Sequence, residues 1–117
     1  MRPEKMAQPL DIPVRLSLSG PVRPNAEVEV RLMLGHTMET GFRHDSSGVQ
    51  VPKDILQFVK VHMGTTLIFE AELGTGMAAN PMFFFSFTLP PIAADMVVSW
   101  ADHQGRTGEM RRPLLYR

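Results

Sequence analysis

From Pro13 onward the apolar residues of this chain recur at every second position. Val14, Leu16 and Leu18 alternate with Arg15, Ser17 and Ser19, and Val28, Val30, Leu32 and Leu34 with Glu27, Glu29, Arg31 and Met33. Further on, Phe83, Phe85, Phe87 and Leu89 alternate with Phe84, Ser86 and Thr88, and Met96, Val98 and Trp100 with Val97, Ser99 and Ala101. A period of two gives each strand one buried and one wetter face, as in antiparallel sheets. Gly20-Pro21, Pro24-Asn25, Gly74-Thr75-Gly76, Asn80-Pro81, Pro90-Pro91 and Gln104-Gly105 punctuate the runs. No window carries a sustained helical stripe. The pattern predicts an all-β chain, an immunoglobulin-like antiparallel β-sandwich of about seven strands. Residues 13–117 read as its single domain and 1–12 as an N-terminal arm. Pro113 predicts that the last strand ends at a sheet edge, because proline donates nothing to a ladder.

A central hairpin turns at Gly64-Thr65, which suits a two-residue turn with glycine first. Counting outward without irregularity pairs His62 with Leu67, Val61 with Ile68 and Phe58 with Ala71. One face then carries Leu56, Phe58, Leu67, Phe69, Ala71 and Leu73 and reads as the core side. The other carries Ile55, Val59, Val61, Met63 and Ile68. So apolar an outer face predicts a docking surface built on Val59, Val61, Met63 and Ile68, unless a loop or the arm covers it.

Between the second and third strands, Gly35 to Asp54 shows no clear period. A connection this long in a compact domain is generally functional or disordered. Met38, Phe42, Val49 and Val51 give it apolar groups to pack, so function is the expectation. Asp45-Ser46-Ser47-Gly48 reads as a turn with glycine last, folding the loop back on itself. Met38, Glu39, Thr40, Gly41 and Arg43 form the candidate recognition strip.

Composition narrows the chemistry. The 117 residues balance 12 Lys and Arg against 12 Asp and Glu. Basic residues never cluster beyond Arg111-Arg112, which argues against nucleic-acid or anionic-membrane partners. There is no cysteine, which removes disulfides, thiol catalysis and thiolate metal sites. The first residues contain no apolar run of the kind a signal peptide needs. Of the four histidines, His36 and His44 are the nearest pair, and their spacing matches no familiar metal site. His62 and His103 read as a hairpin spacer and a turn residue. The nine methionines are dispersed and read as core or interface filler, with a Met/His copper-carrying sandwich as the alternative. Ser46, His44 and Asp45 are neighbours on an extended segment and point apart, so they assemble no hydrolase triad. The expectation is no catalytic residue, no metal and no cofactor.

Several motifs in order point further. They are His36-x-Met38-Glu39-Thr40-Gly41-x-Arg43-x-Asp45-x-x-Gly48-x-x-Val51-Pro52, then Phe69-x-Ala71-Glu72-Leu73-Gly74-x-Gly76, Ala79-Asn80-Pro81 and Trp100-x-Asp102. Together they resemble the SoxZ family, the small subunit of the SoxYZ sulfur-carrier complex of thiosulfate oxidation, over roughly Val14 to Gly105. The chain departs from that pattern in Gly64-Thr65, where an Asn-Gly type is usual, in the heavy Phe83-Phe84-Phe85 run, and in Arg111-Arg112-Pro113. The resemblance implies a non-catalytic subunit that pairs with a SoxY-like partner, whose cysteine arm carries the sulfur intermediates. It also implies transient contacts with Sox enzymes and a periplasmic location reached by co-export with the partner. A protein-binding adaptor sandwich unrelated to sulfur is the remaining alternative.

Overall fold

The computed structural model describes residues 8–116, so residues 1–7 of the expected arm and Arg117 lie outside the described residues. Seven strands follow one another: β1 (Val14–Ser19), β2 (Glu27–Leu34), β3 (Leu56–Met63), β4 (Thr66–Glu72), β5 (Met82–Thr88), β6 (Asp95–Asp102) and β7 (Thr107–Pro113). They form two antiparallel sheets, β1-β2-β5 and β4-β3-β6-β7. The all-β sandwich is therefore as the alternation predicts, and Pro113 sits on the edge strand β7.

The core lies between the sheets. Leu16, Val28, Val30, Leu32 and Leu34 of one sheet meet Val59, Val61, Met63, Met96, Val98 and Trp100 of the other, all buried. These are the positions that period-two patterning assigns to the inner faces, except in β3.

There the structure corrects the hairpin. Val59 and Val61 are wholly buried and Met63 is 5% exposed, while Phe58 is 37% and Leu67 44% exposed. Two bulges exchange the faces. The β3–β4 register jumps from His62↔Leu67 to Val61↔Phe69, leaving Ile68 unpaired, and the β3–β6 register jumps from Leu56↔Asp102 to Phe58↔Ala101, leaving Gln57 unpaired. Each extra residue shifts the side-chain phase by one, which moves every following side chain to the other face. Val59, Val61 and Met63 therefore belong to the core and form no docking face. Ile68 alone of the expected four is partly accessible.

One lateral side of the sandwich is closed. The arm crosses β7, where Leu10 N donates to Thr107 O at 2.8 Å and Thr107 N to Gln8 O at 2.9 Å. Trp100 Nε1 donates to Leu10 O at 2.8 Å. Nearby, Arg112 reaches from β7 to the backbone of β1, its Nη1 2.5 Å from Leu16 O. On the opposite side β4 and β5 are the edge strands of their sheets.

Candidate functional site

Two features stand out beyond the core: the long β2–β3 connection and the open β4–β5 side. The connection is a narrow two-limbed ribbon. Glu39 and Asp54 exchange both backbone hydrogen bonds at 2.8 Å, Val51 N donates to Arg43 O at 2.8 Å, and Asp45 N to Val49 O at 2.9 Å. The tip is the turn read from Asp45 to Gly48: Gly48 N donates to Asp45 O at 3.0 Å, with Gly48 at φ 82°. Asp45 Oδ1 accepts from Ser47 N at 2.8 Å and Val49 N at 3.0 Å. That single oxygen holds the turn through both bonds.

The recognition strip divides by depth. Met38 is 5% exposed and plugs into the core, where its Sδ takes the Leu56 N–H at 3.4 Å. It adopts φ 54°, an uncommon conformation for a residue with a side chain, and its N–H is held by His36 Nδ1 at 3.0 Å. Glu39 and Arg43 form a two-pronged pair, with Arg43 Nε 3.0 Å from Oε1 and Nη2 2.9 Å from Oε2. That contact holds the Glu39 carboxyl below its usual range and the Arg43 guanidinium above its own. Thr40 Oγ1 accepts from Phe42 N at 3.2 Å. Gly41 sits at φ 93° with the place of a Cβ 3.1 Å from Lys53 Cβ, and Gln50 Nε2 donates to its carbonyl. What the ribbon shows to solvent is Phe42, 79% exposed, and Val49, 61% exposed, with Arg43 beside them. Sequence reasoning used Phe42 and Val49 only as packing groups.

A polar cluster pins the base of the ribbon to the sandwich. His36 N donates to Asn80 Oδ1 at 3.1 Å, and Asn80 N to His36 O at 2.7 Å. His36 Nε2 lies 3.4 Å from Asp54 Oδ1, which also receives Arg106 Nη2 at 3.2 Å. Arg106 Nε then donates to the fully buried Asp102 side chain at 2.6 Å. Asp102 further accepts Gln104 N at 2.9 Å and Arg106 N at 2.8 Å. Burial pushes the Asp102 carboxyl up, but the Arg106 and Gln104 hydrogen bonds outweigh it and hold the group below the usual carboxylate range. The histidines do not converge: His36 serves this cluster, His44 faces Gln50 in the ribbon, His62 pairs in β3 and His103 reaches Lys53 O at 3.3 Å. Among the described residues no three His, Cys, Asp or Glu side chains gather at one point.

The open side is aromatic. Phe69 of β4 stacks on Phe85 of β5, with centroids 4.4 Å apart and planes at 4°, and lies 5.6 Å from Phe83. Phe85 in turn is 6.4 Å from Phe87. These rings face inward yet stay only half-buried, on the side where the edge strands β4 and β5 face each other. Leu67, Met82 and Phe84, at 44, 47 and 64% exposure, extend the apolar surface outward.

Residues 18–112 match the family of the sulphur oxidation protein SoxZ. The chain belongs to the SoxZ family. Membership makes it a component of Sox sulfur oxidation, in agreement with the motifs in the ribbon and after β4. No curated protein matches the chain. Among solved structures, superoxide reductase (neelaredoxin) from Ignicoccus hospitalis is similar at TM-score 0.60 and 11% identity, over 89% of this chain and 80% of that one. A hypothetical protein from Pyrococcus horikoshii OT3 is similar at TM-score 0.60 and 10% identity, over 93% of this chain and 96% of that one. At such identity these likenesses show the SoxZ sandwich as a shared fold and nothing of its chemistry.

Proposed function

We propose that this SoxZ-family chain is the non-catalytic half of a sulfur carrier, seated in the periplasm through co-export with a SoxY-like partner whose cysteine arm bears the sulfur intermediates. The partner docks on the β4–β5 side. The observation that carries this choice is the half-buried Phe69, Phe83, Phe85 and Phe87 cluster between two unpaired edges. Edge strands present free N–H and C=O groups, and the aromatic row supplies apolar area, which together suit the addition of a partner strand. The ribbon tip at Phe42, Val49 and Arg43 stands apart from that side in sequence and serves the transient contacts with Sox enzymes.

Co-expression with the cognate SoxY-like subunit tests the docking side. Leu67→Asp places a charge on exposed β4 surface without entering the core, so the chain should stay folded while co-purification is lost. A folded Leu67→Asp chain that still retains the partner at full stoichiometry removes the β4–β5 assignment. No co-purification of the unaltered chain removes the carrier reading itself.

A further inference from the structure

The outer face of the β1-β2-β5 sheet is divided by charge. Cross-strand rows run Ser19–Glu29–Ser86 toward one end, then Ser17–Arg31–Phe84 and Arg15–Met33–Met82 toward the other. At that second end lies a cleft of about 460 Å³ whose walls include Arg15, Ser17, Arg31, Met33, Met82 and Arg112. Arg112 belongs to the opposite sheet, and its bond to Leu16 O fixes the guanidinium at the rim.

Among the described residues, neither Arg15 nor Arg31 has a carboxylate within ion-pair distance. The arginine pairs there belong to Arg43, Arg106 and Arg111. Arg31 lies over the Phe84 ring, 5.5 Å from its centre, a contact that supplies no acceptor oxygen to its N–H donors. Arg15 and Arg31 are diagonal neighbours on adjacent strands, a separation of roughly 7–8 Å at the backbone that one small anion can span. Three guanidinium groups around one cleft repel one another until a counter-charge sits between them.

We propose that this cleft binds a divalent tetrahedral oxyanion of sulfur, gripped by Arg15 and Arg31 with Arg112 at the rim. Guanidinium forks match oxyanion geometry and hold it by charge-assisted hydrogen bonds. Met33 and Met82 line the same cleft with apolar surface, which penalises a strongly hydrated ion more than a weakly hydrated one. The cleft therefore favours thiosulfate over sulfate or phosphate. The choice of sulfur rests on the proposed carrier role; the cationic cleft does not.

The test is a titration of the full chain in low-salt chloride buffer with thiosulfate, sulfate, phosphate and added chloride, followed by the arginine Nε–H resonances. Saturable shifts at Arg15 and Arg31, tightest for thiosulfate and absent with chloride, are expected. Arg31→Gln and Arg15→Gln, both at exposed positions, should each weaken binding roughly tenfold or more while co-purification with the SoxY-like subunit persists. No saturable shift, an equal response to phosphate, or unaltered binding in both variants overturns the proposal. Those outcomes leave partner docking standing, and loss of docking in the unaltered chain leaves the anion titration to be judged by itself.

Discussion

At the scale of single residues, two positions outside the recognition strip hold the fold in its working shape. Asp102 is the only buried carboxylate among the described residues, and it gathers three donors at the end of β6. Its folded pKa lies below its unfolded value of about 4. The unfolded chain therefore binds more protons in acid, so the stability from this group is complete above about pH 4 and is lost as pH falls through the folded value. Urea midpoints followed downward from neutral pH should show this loss in the native chain, and Asp102→Asn should flatten that limb. Asp102→Ala strands two backbone donors and Arg106 and should cost about 2–3 kcal/mol at neutral pH. Gly108 is the second position. A Cβ there would lie 2.3 Å from Leu10 O and 2.5 Å from Trp100 Nε1, so Gly108→Ala must push the arm or the indole aside. A loss of about 1–3 kcal/mol is expected, with red-shifted emission from the single tryptophan as it parts from Leu10. Unchanged emission with native stability would mean that the arm contact is dispensable. Neither role was legible in the sequence: the burial of Asp102 follows from its place opposite Leu56, and the demand for glycine at 108 follows from Leu10, which lies far away along the chain.

At the scale of elements, strand existence was legible and phase was not. β1, β2, β5 and β6 obey strict alternation, so their inner faces follow directly from the residues. β3 and β4 each hold a bulge, at Gln57 and Ile68, and a bulge has no side-chain signature when its neighbours are all apolar. The one hint was the gap of three between the core residues Leu56 and Val59. The ribbon was legible as a binding-sized loop with its Asp45–Gly48 turn, yet which residues point outward was not. Met38 looked like a contact residue and is a core plug, whereas Phe42 looked like packing and is 79% exposed. The two should separate in experiment. Met38→Ala removes a buried side chain and should cost about 2–4 kcal/mol. Phe42→Ala should change stability by no more than about 0.5 kcal/mol. In the assembled carrier, Phe42→Ala and Arg43→Ala should slow sulfur transfer by the Sox enzymes without loosening the partner. Full transfer rates in both variants would take the ribbon tip out of enzyme recognition.

At the scale of the whole molecule the sandwich is asymmetric, and that asymmetry underlies the proposed docking side. Along β7 and β1 the gap between the sheets is closed by the arm and by Arg112 on Leu16 O. Along β4 and β5 it is left to half-buried phenylalanines and unpaired strand edges. Bare edges of this kind invite uncontrolled pairing unless something occupies them, so a stable complex should cover this side first. Hydrogen exchange separates the possibilities, since amides at an open edge exchange through local opening that a docked strand suppresses. On complex formation, the amides of β4 and β5 that face away from β3 and β2 should slow by at least an order of magnitude, while those of β7 and the arm keep the rates of the isolated chain. Protection confined to the ribbon or to β7 would place the partner elsewhere, and the aromatic gap would then be only an imperfectly closed core.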